Sequence, residues 1–138
     1  MTVEAALVLG VFLVALFSML DLALLVLHQN TLIEASRRLS REAMVHGEKS
    51  APERTTWGPA TISGTAADNN DCGAALRPEL VTFDHALVAY TIEWPDGSNT
   101  PDDAVRVTLA FNYTPLVPFV LGTSEIPLLA VSTMRIAH

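Results

Sequence analysis

The chain has 138 residues, enough for one small domain beside any long helix. Its net charge of −7, with Lys49 its single lysine, argues against nucleic acid as a partner, because phosphate binding needs clustered cations. One cysteine, Cys72, excludes an intrachain disulfide and a cysteine-built metal centre.

Within residues 1–27 the stretch from Ala5 to Leu27 is apolar almost throughout, broken by Gly10, Ser18 and Asp21 and preceded by Glu4. Some twenty apolar residues at about 1.5 Å each cross a hydrocarbon layer of about 30 Å, and the run exceeds the roughly 7–15 apolar residues of a signal peptide. It reads as a retained transmembrane helix. No proline interrupts residues 28–46, and Leu32, Ala35, Leu39, Ala43 and His46 recur at spacings of three and four, the stripe of an amphipathic helix. Glu34 with Arg38 and Arg38 with Glu42 are placed for pairs four apart, and Gly47 suits a left-handed helix end. One helix over residues 2–46, about 65 Å long, is expected. Its lower stripe of Leu32, Ala35, Leu39 and Ala43 needs a protein surface to pack on.

Residues 48–65 are rich in Pro, Gly, Ser and Thr and read as an ordered linker with at most a short strand at 60–63. Asp71 is placed to cap a short helix that runs to about Arg77 and stops near Pro78. Residues 87–94 read as a strand closed by the turn Pro95-Asp96-Gly97. Residues 105–113 alternate cleanly, with Val105, Val107, Leu109, Phe111 and Tyr113 on one face. The two prolines of residues 115–122 keep that apolar stretch out of a central strand, and 126–136 is the last strand. The expected fold class is α+β: a long N-terminal helix packed on a small antiparallel sheet of three to four strands. The expected division is a transmembrane helix at 1–27, its amphipathic extension at 28–47, and a small head at 48–138.

The opening Thr-Val-Glu-Ala-Ala-Leu-Val-Leu resembles the type IV pilin-like helix. With Asp21 inside Ser-Met-Leu-Asp-Leu, the Glu34-Ala-Ser-Arg37 to Arg41-Glu-Ala segment, and the closing stretch from Val105 through Tyr113-Thr-Pro to Arg135, it is similar to the TadE-like family of tight-adherence pilus pseudopilins. The resemblance implies a single-pass protein of the bacterial cytoplasmic membrane with its head outside. The implied partners are the lipid bilayer, other pilin-like subunits and the pilus assembly machinery; no cofactor, small-molecule substrate or catalysis is implied. It also implies a basic leader removed by a prepilin peptidase, and a glutamate fifth in the mature chain. Glu4 is fourth here, so the mature start is expected one residue earlier or behind an upstream leader. Gly10 stands where the family pattern suggests proline.

Among the candidate residues, Glu4 is either solvated at a helix N-terminus, where the dipole favours an acid, or paired with a neighbouring subunit's α-amino group, as the resemblance implies. Ala6 and Gly10 are small enough for close helix packing. Asp21, about 7–8 Å past the middle of the apolar run, is either an acid near the outer interface or a contact to a partner helix. Arg37, Arg38 and Arg41, taken by charge alone, favour a cytoplasmic location for this end, opposite to what the resemblance implies. His28, His46, His85 and His138 lack metal-ligand spacing, and the acids at 68–71 and 102–103 read as turn chemistry. A plain anchor carrying a binding module or enzyme is the alternative architecture.

Overall fold

The computed structural model describes residues 2–137, and His138 lies outside them. A single helix, α1 (Thr2–Met44), runs for 43 residues, about 65 Å at the standard rise. A four-stranded antiparallel meander follows, built from β1 (Ile62–Thr65), β2 (Ala89–Glu93), β3 (Ala104–Tyr113) and β4 (Ile126–Arg135), in the order β1-β2-β3-β4. Two short helices interrupt it, α2 (Asp71–Leu76) between β1 and β2 and α3 (Pro118–Leu121) between β3 and β4. The fold is α+β, with the sheet and helix stacked as two layers.

The register explains which sheet face meets the helix. Val105, Val107, Leu109, Phe111 and Tyr113 stand opposite Met134, Ser132, Ala130, Leu128 and Ile126 of β4, and Ile92 and Tyr90 oppose Val107 and Leu109 from β2. This face is apolar and covered; Val105, Val107, Leu109 and Ile92 have no exposed surface. The C-terminal half of α1 lies across it, against β3 and β4, with α2 at its flank. Leu32, Ala35 and Leu39 have no exposed surface and Ala43 almost none. Ser36 and Ser40 are buried beside them and turn their hydroxyls onto the helix's own carbonyls, Ser36 to Ile33 at 2.7 Å and Ser40 to Ser36 at 2.8 Å. Their polar atoms are thereby satisfied, and the small side chains let the helix lie close to the sheet. Gln29 Nε2 donates to the carbonyl of Leu129 at 2.9 Å, which occupies a backbone acceptor on the edge strand.

Several local expectations are corrected. Helix α1 stops at Met44, and Gly47 does not adopt a left-handed conformation. Its last carbonyls have other partners: Val45 N–H and the His46 ring on Glu42, His46 N–H on Ala43, and Ala137 N–H on Met44. The pairs Glu34–Arg38 and Arg38–Glu42 do not form. Arg38 reaches across to Glu79 at 2.6 Å, leaving Glu34 to Arg37 and Arg41 at 3.7 and 3.4 Å. The cap of α2 is Asn70, whose side-chain oxygen accepts from Gly73 N–H, and not Asp71. Strand β1 lies two residues later than expected. Residues His85–Leu87 form a single 3-10 turn capped by Asp84, which delays β2 to Ala89. The 95–97 turn does close with Gly97 at φ 76°.

The linker is ordered by Trp57. Its ring is buried and stacks on the His46 ring at 4.3 Å, its backbone N–H donates to the His46 carbonyl, and its own carbonyl accepts from the Asn99 side chain. The head is thus tied back to the end of α1.

Candidate functional site: the bare helix and its neck

From Thr2 to Leu20 every residue of α1 is exposed except Ser18, which is partly covered. Ser18 Oγ donates to the carbonyl of Val14 at 2.7 Å, so even this hydroxyl is satisfied within the helix. Val3, Leu7, Val8, Val11 and Phe12 are each more than half exposed with nothing of the chain against them. Helix α1 is long and apolar enough to cross a membrane, and its apolar part is not core. This separates it from the buried central helix of a globular domain, which is apolar all round because protein surrounds it.

Glu4, Ala6 and Gly10 all lie on this bare part. At 100° per residue, Ala6 and Gly10 share a face, while Glu4 points about 120–160° away from them. A side chain added at Gly10 would meet no atom within 4 Å. Whatever packs against Gly10 must therefore come from outside this chain.

Asp21 sits apart from those three. Its side chain is fully buried, and its partners come from the end of β3 and the connection that follows. Tyr113 Oη donates to one carboxyl oxygen at 3.1 Å, Leu116 N–H donates to the same oxygen at 2.7 Å, and Val117 N–H donates to the other at 2.9 Å. All three partners are donors, the complement of an ionised carboxyl, and two of them belong to the backbone. Of the two readings left open by the sequence, the structure adds a third arrangement, an internal tether. The acid fastens the head to the helix where the bare part ends. The sequence signal for it was weak: a lone acid in an apolar run demands a partner, but the donors lie 92 to 96 residues away.

An aromatic cluster completes this neck. His28 stands about two turns beyond Asp21, with its ring against Phe83, Phe111 and Tyr113 at centroid distances of 4.7, 5.9 and 5.3 Å. Its Nδ1 is 2.7 Å from the carbonyl of Leu24. Phe83 and Phe111 meet edge to face at 4.8 Å. Tyr113 belongs to both groups, touching His28 with its ring and Asp21 with its hydroxyl. His46 is engaged with Trp57 and His85 with the Leu80 carbonyl, so the described histidines are scattered over the head.

The remaining polar residues serve turns. Asp68 accepts from the backbone and hydroxyl of Thr65. Asp103 accepts from Ser98 Oγ, Thr100 Oγ1 and Thr100 N–H, and these hydrogen bonds hold its carboxyl below the usual carboxylate range. Cys72 is buried, and desolvation pushes its thiol up to about 11, against the activation a reactive thiol needs.

No curated protein and no solved structure matches the chain. A family model does match, over residues 1–41, which span the bare part of α1, the helix side of the neck and most of the packed half. By that match the N-terminal helix is similar to that of TadE-like proteins.

Proposed function

We propose that the chain is a membrane-anchored, pilin-like protein that takes part in assembling a tight-adherence, type IV-like pilus. Its N-terminal helix lies in the bacterial cytoplasmic membrane, its head lies outside, and it works through association and not catalysis. The observation that carries this reading is the bare helix, apolar from residue 5 to residue 20 and exposed there but for Ser18, in a segment matching the TadE-like family. In lipid such a helix needs no other partner to be stable. It can exchange lipid for neighbouring helices when their surfaces fit, through close contact at small residues such as Ala6 and Gly10. Glu4, near the membrane boundary, pairs with a cationic group of a neighbouring subunit once helices bundle. Throughout, Asp21 and the aromatic neck keep the head at a fixed height on the helix, so the geometry of helix packing also sets the geometry of the heads.

The test is Gly10→Leu in cells carrying the complete pilus system. A Cβ added at Gly10 meets no neighbouring side chain within 4 Å, so membrane insertion and head folding are expected to be unchanged. Cross-linking to other pilus components is expected to drop at least about tenfold, the factor that follows from losing about 1.4 kcal/mol of helix packing. Cross-links at the unsubstituted level would remove helix packing from the proposal.

A further inference from the structure

We infer that the connection between β3 and β4, residues 114–122, is a second membrane contact, seated among the lipid acyl chains beside the helix. The inference rests on the reading that α1 crosses a bilayer. Three observations carry it beyond that reading.

The connection exposes its largest apolar side chains. Leu116, Phe119 and Val120 are 62, 75 and 41 % exposed, while Pro115 and Val117 turn inward. No charge accompanies them, since Glu125 is the only charged residue between Arg106 and Arg135. Exposed apolar loops of this kind are unfavourable in water.

Its position along the helix matches lipid depth. Leu116, Val117 and Phe119 line one groove together with Leu13, Val14 and Phe17 of the bare helix. With Glu4 at one boundary, Phe17 lies about 20 Å and Asp21 about 26 Å further along, both within a hydrocarbon layer about 30 Å thick. A bilayer that surrounds Leu13 and Phe17 also meets Phe119.

Much of the backbone chemistry fits the same place. Irregular backbone is excluded from hydrocarbon because its polar groups lack partners. Here Pro115 and Pro118 have no N–H, Leu116 and Val117 donate to Asp21, Val120 donates to Val117, and Gly122 donates to Pro118. Asp21 thereby does two things at once: its charge is shielded from lipid, and two loop amides are satisfied without water. The final turn, α3, ends at Gly122 with φ 72°, which directs the chain back towards β4 and the polar residues Thr123, Ser124 and Glu125.

The test places a nitroxide label at Phe119→Cys, with separate labels at Leu116→Cys, Leu13→Cys and Val81→Cys. The full chain is reconstituted in vesicles of phosphatidylethanolamine and phosphatidylglycerol. Cys72 is buried and stays unlabelled, which the unsubstituted chain checks directly. Labels at 119 and 116 are expected to lose collisions with a water-soluble nickel chelate and gain them with oxygen, as the label at 13 does. The label at Val81, on an exposed loop of the head, keeps nickel collisions. Nickel collisions at 119 and 116 equal to those at 81, with the label at 13 in lipid, overturn the seated loop and leave the anchor standing. Nickel collisions at 13 as well overturn both. Shielding of 119 from oxygen and nickel alike means that protein covers the loop, and it also overturns the inference.

Discussion

The two halves of α1 are one continuous helix held by opposite means. From Thr2 to Leu20 the side chains are exposed but for Ser18, and the head comes near only at the connection beside Leu13, Val14 and Phe17, whereas from Asp21 onward a buried stripe of Leu32, Ala35, Leu39 and Ala43 lies on the sheet. Both halves carry aliphatic residues, so apolarity alone does not distinguish them. What differs is the polar punctuation. The packed half has charged residues on its outer faces and two serines that narrow it against the sheet, while the bare half has no charge between Glu4 and Asp21. Asp21 marks the seam, and it is also the residue that binds the seam together.

Removing that seam is expected to give the largest effect. Asp21→Ala leaves Tyr113 Oη and the N–H groups of Leu116 and Val117 without their acceptor. Each buried donor left unpaired costs about 1–3 kcal/mol, so the local loss is about 3 kcal/mol or more. Hydrogen exchange at Leu116 and Val117 is expected to accelerate on the order of a hundredfold, with Val107 in β3 much less affected. Uniform acceleration across the sheet would mean that Asp21 supports the whole head and not the neck alone.

A matched pair of truncations sharpens the contrast between the halves. Leu39 has no exposed surface, and Leu39→Ala is expected to destabilise the head by about 2–5 kcal/mol through lost contacts and the cavity left behind. Leu9 is 57 % exposed on the bare half, and Leu9→Ala is expected to change head stability by less than about 0.5 kcal/mol. Denaturant unfolding in detergent, followed by the fluorescence of Trp57 and Trp94, measures both. Comparable losses from the two would show that the bare half is folded against the head in solution.

Alkaline pH probes the packed side from within the head. Burial raises the Cys72 thiol from 9.0 to about 11, so its neutral form is favoured when folded. As pH rises past 9 the unfolded chain ionises first, and the stabilisation present below 9 is lost between 9 and 11, by at most about 2–3 kcal/mol. The unfolding midpoint is expected to fall across that window, with a shallower fall in Cys72→Ala. Rapid alkylation of the folded chain at neutral pH would contradict the buried thiol.

How much of this was legible in the sequence depends on the range of the contact. The stripe of α1 and the alternation of β3 repeat at fixed intervals, so each element declares its covered face by itself, and the register then follows from apolar matching. The neck has no such period. Tyr113, Leu116 and Val117 reach Asp21 from the opposite end of the chain, and two of the three contacts are made by backbone amides that carry no sequence signature. The available clue was compositional: two prolines without N–H groups framing apolar residues beside a strand that ends in tyrosine. Ser36 and Ser40 were missed for a related reason, because a serine bonded to its own helix behaves as a small core residue. Arg38 followed the same logic in reverse, leaving its neighbours on the helix for Glu79 across the fold.

That pair gives the smallest expected effect and the finest distinction. Arg38 Nη1 and Glu79 Oε1 are 2.6 Å apart, linking the packed half of α1 to the segment after α2, but the side chains are 43 and 30 % exposed. Water screens such a pair, and its coupling is expected to be below about 1 kcal/mol. A double-mutant cycle with Arg38→Gln and Glu79→Gln isolates that coupling, and high salt is expected to reduce it further. Coupling of about 2 kcal/mol or more, unchanged by salt, would place Arg38 among the rigid attachments with Asp21. The weak, salt-sensitive result would instead leave Asp21 as the charged fastening between the helix and the head, with the apolar stripe and the neutral hydrogen bonds supplying the rest.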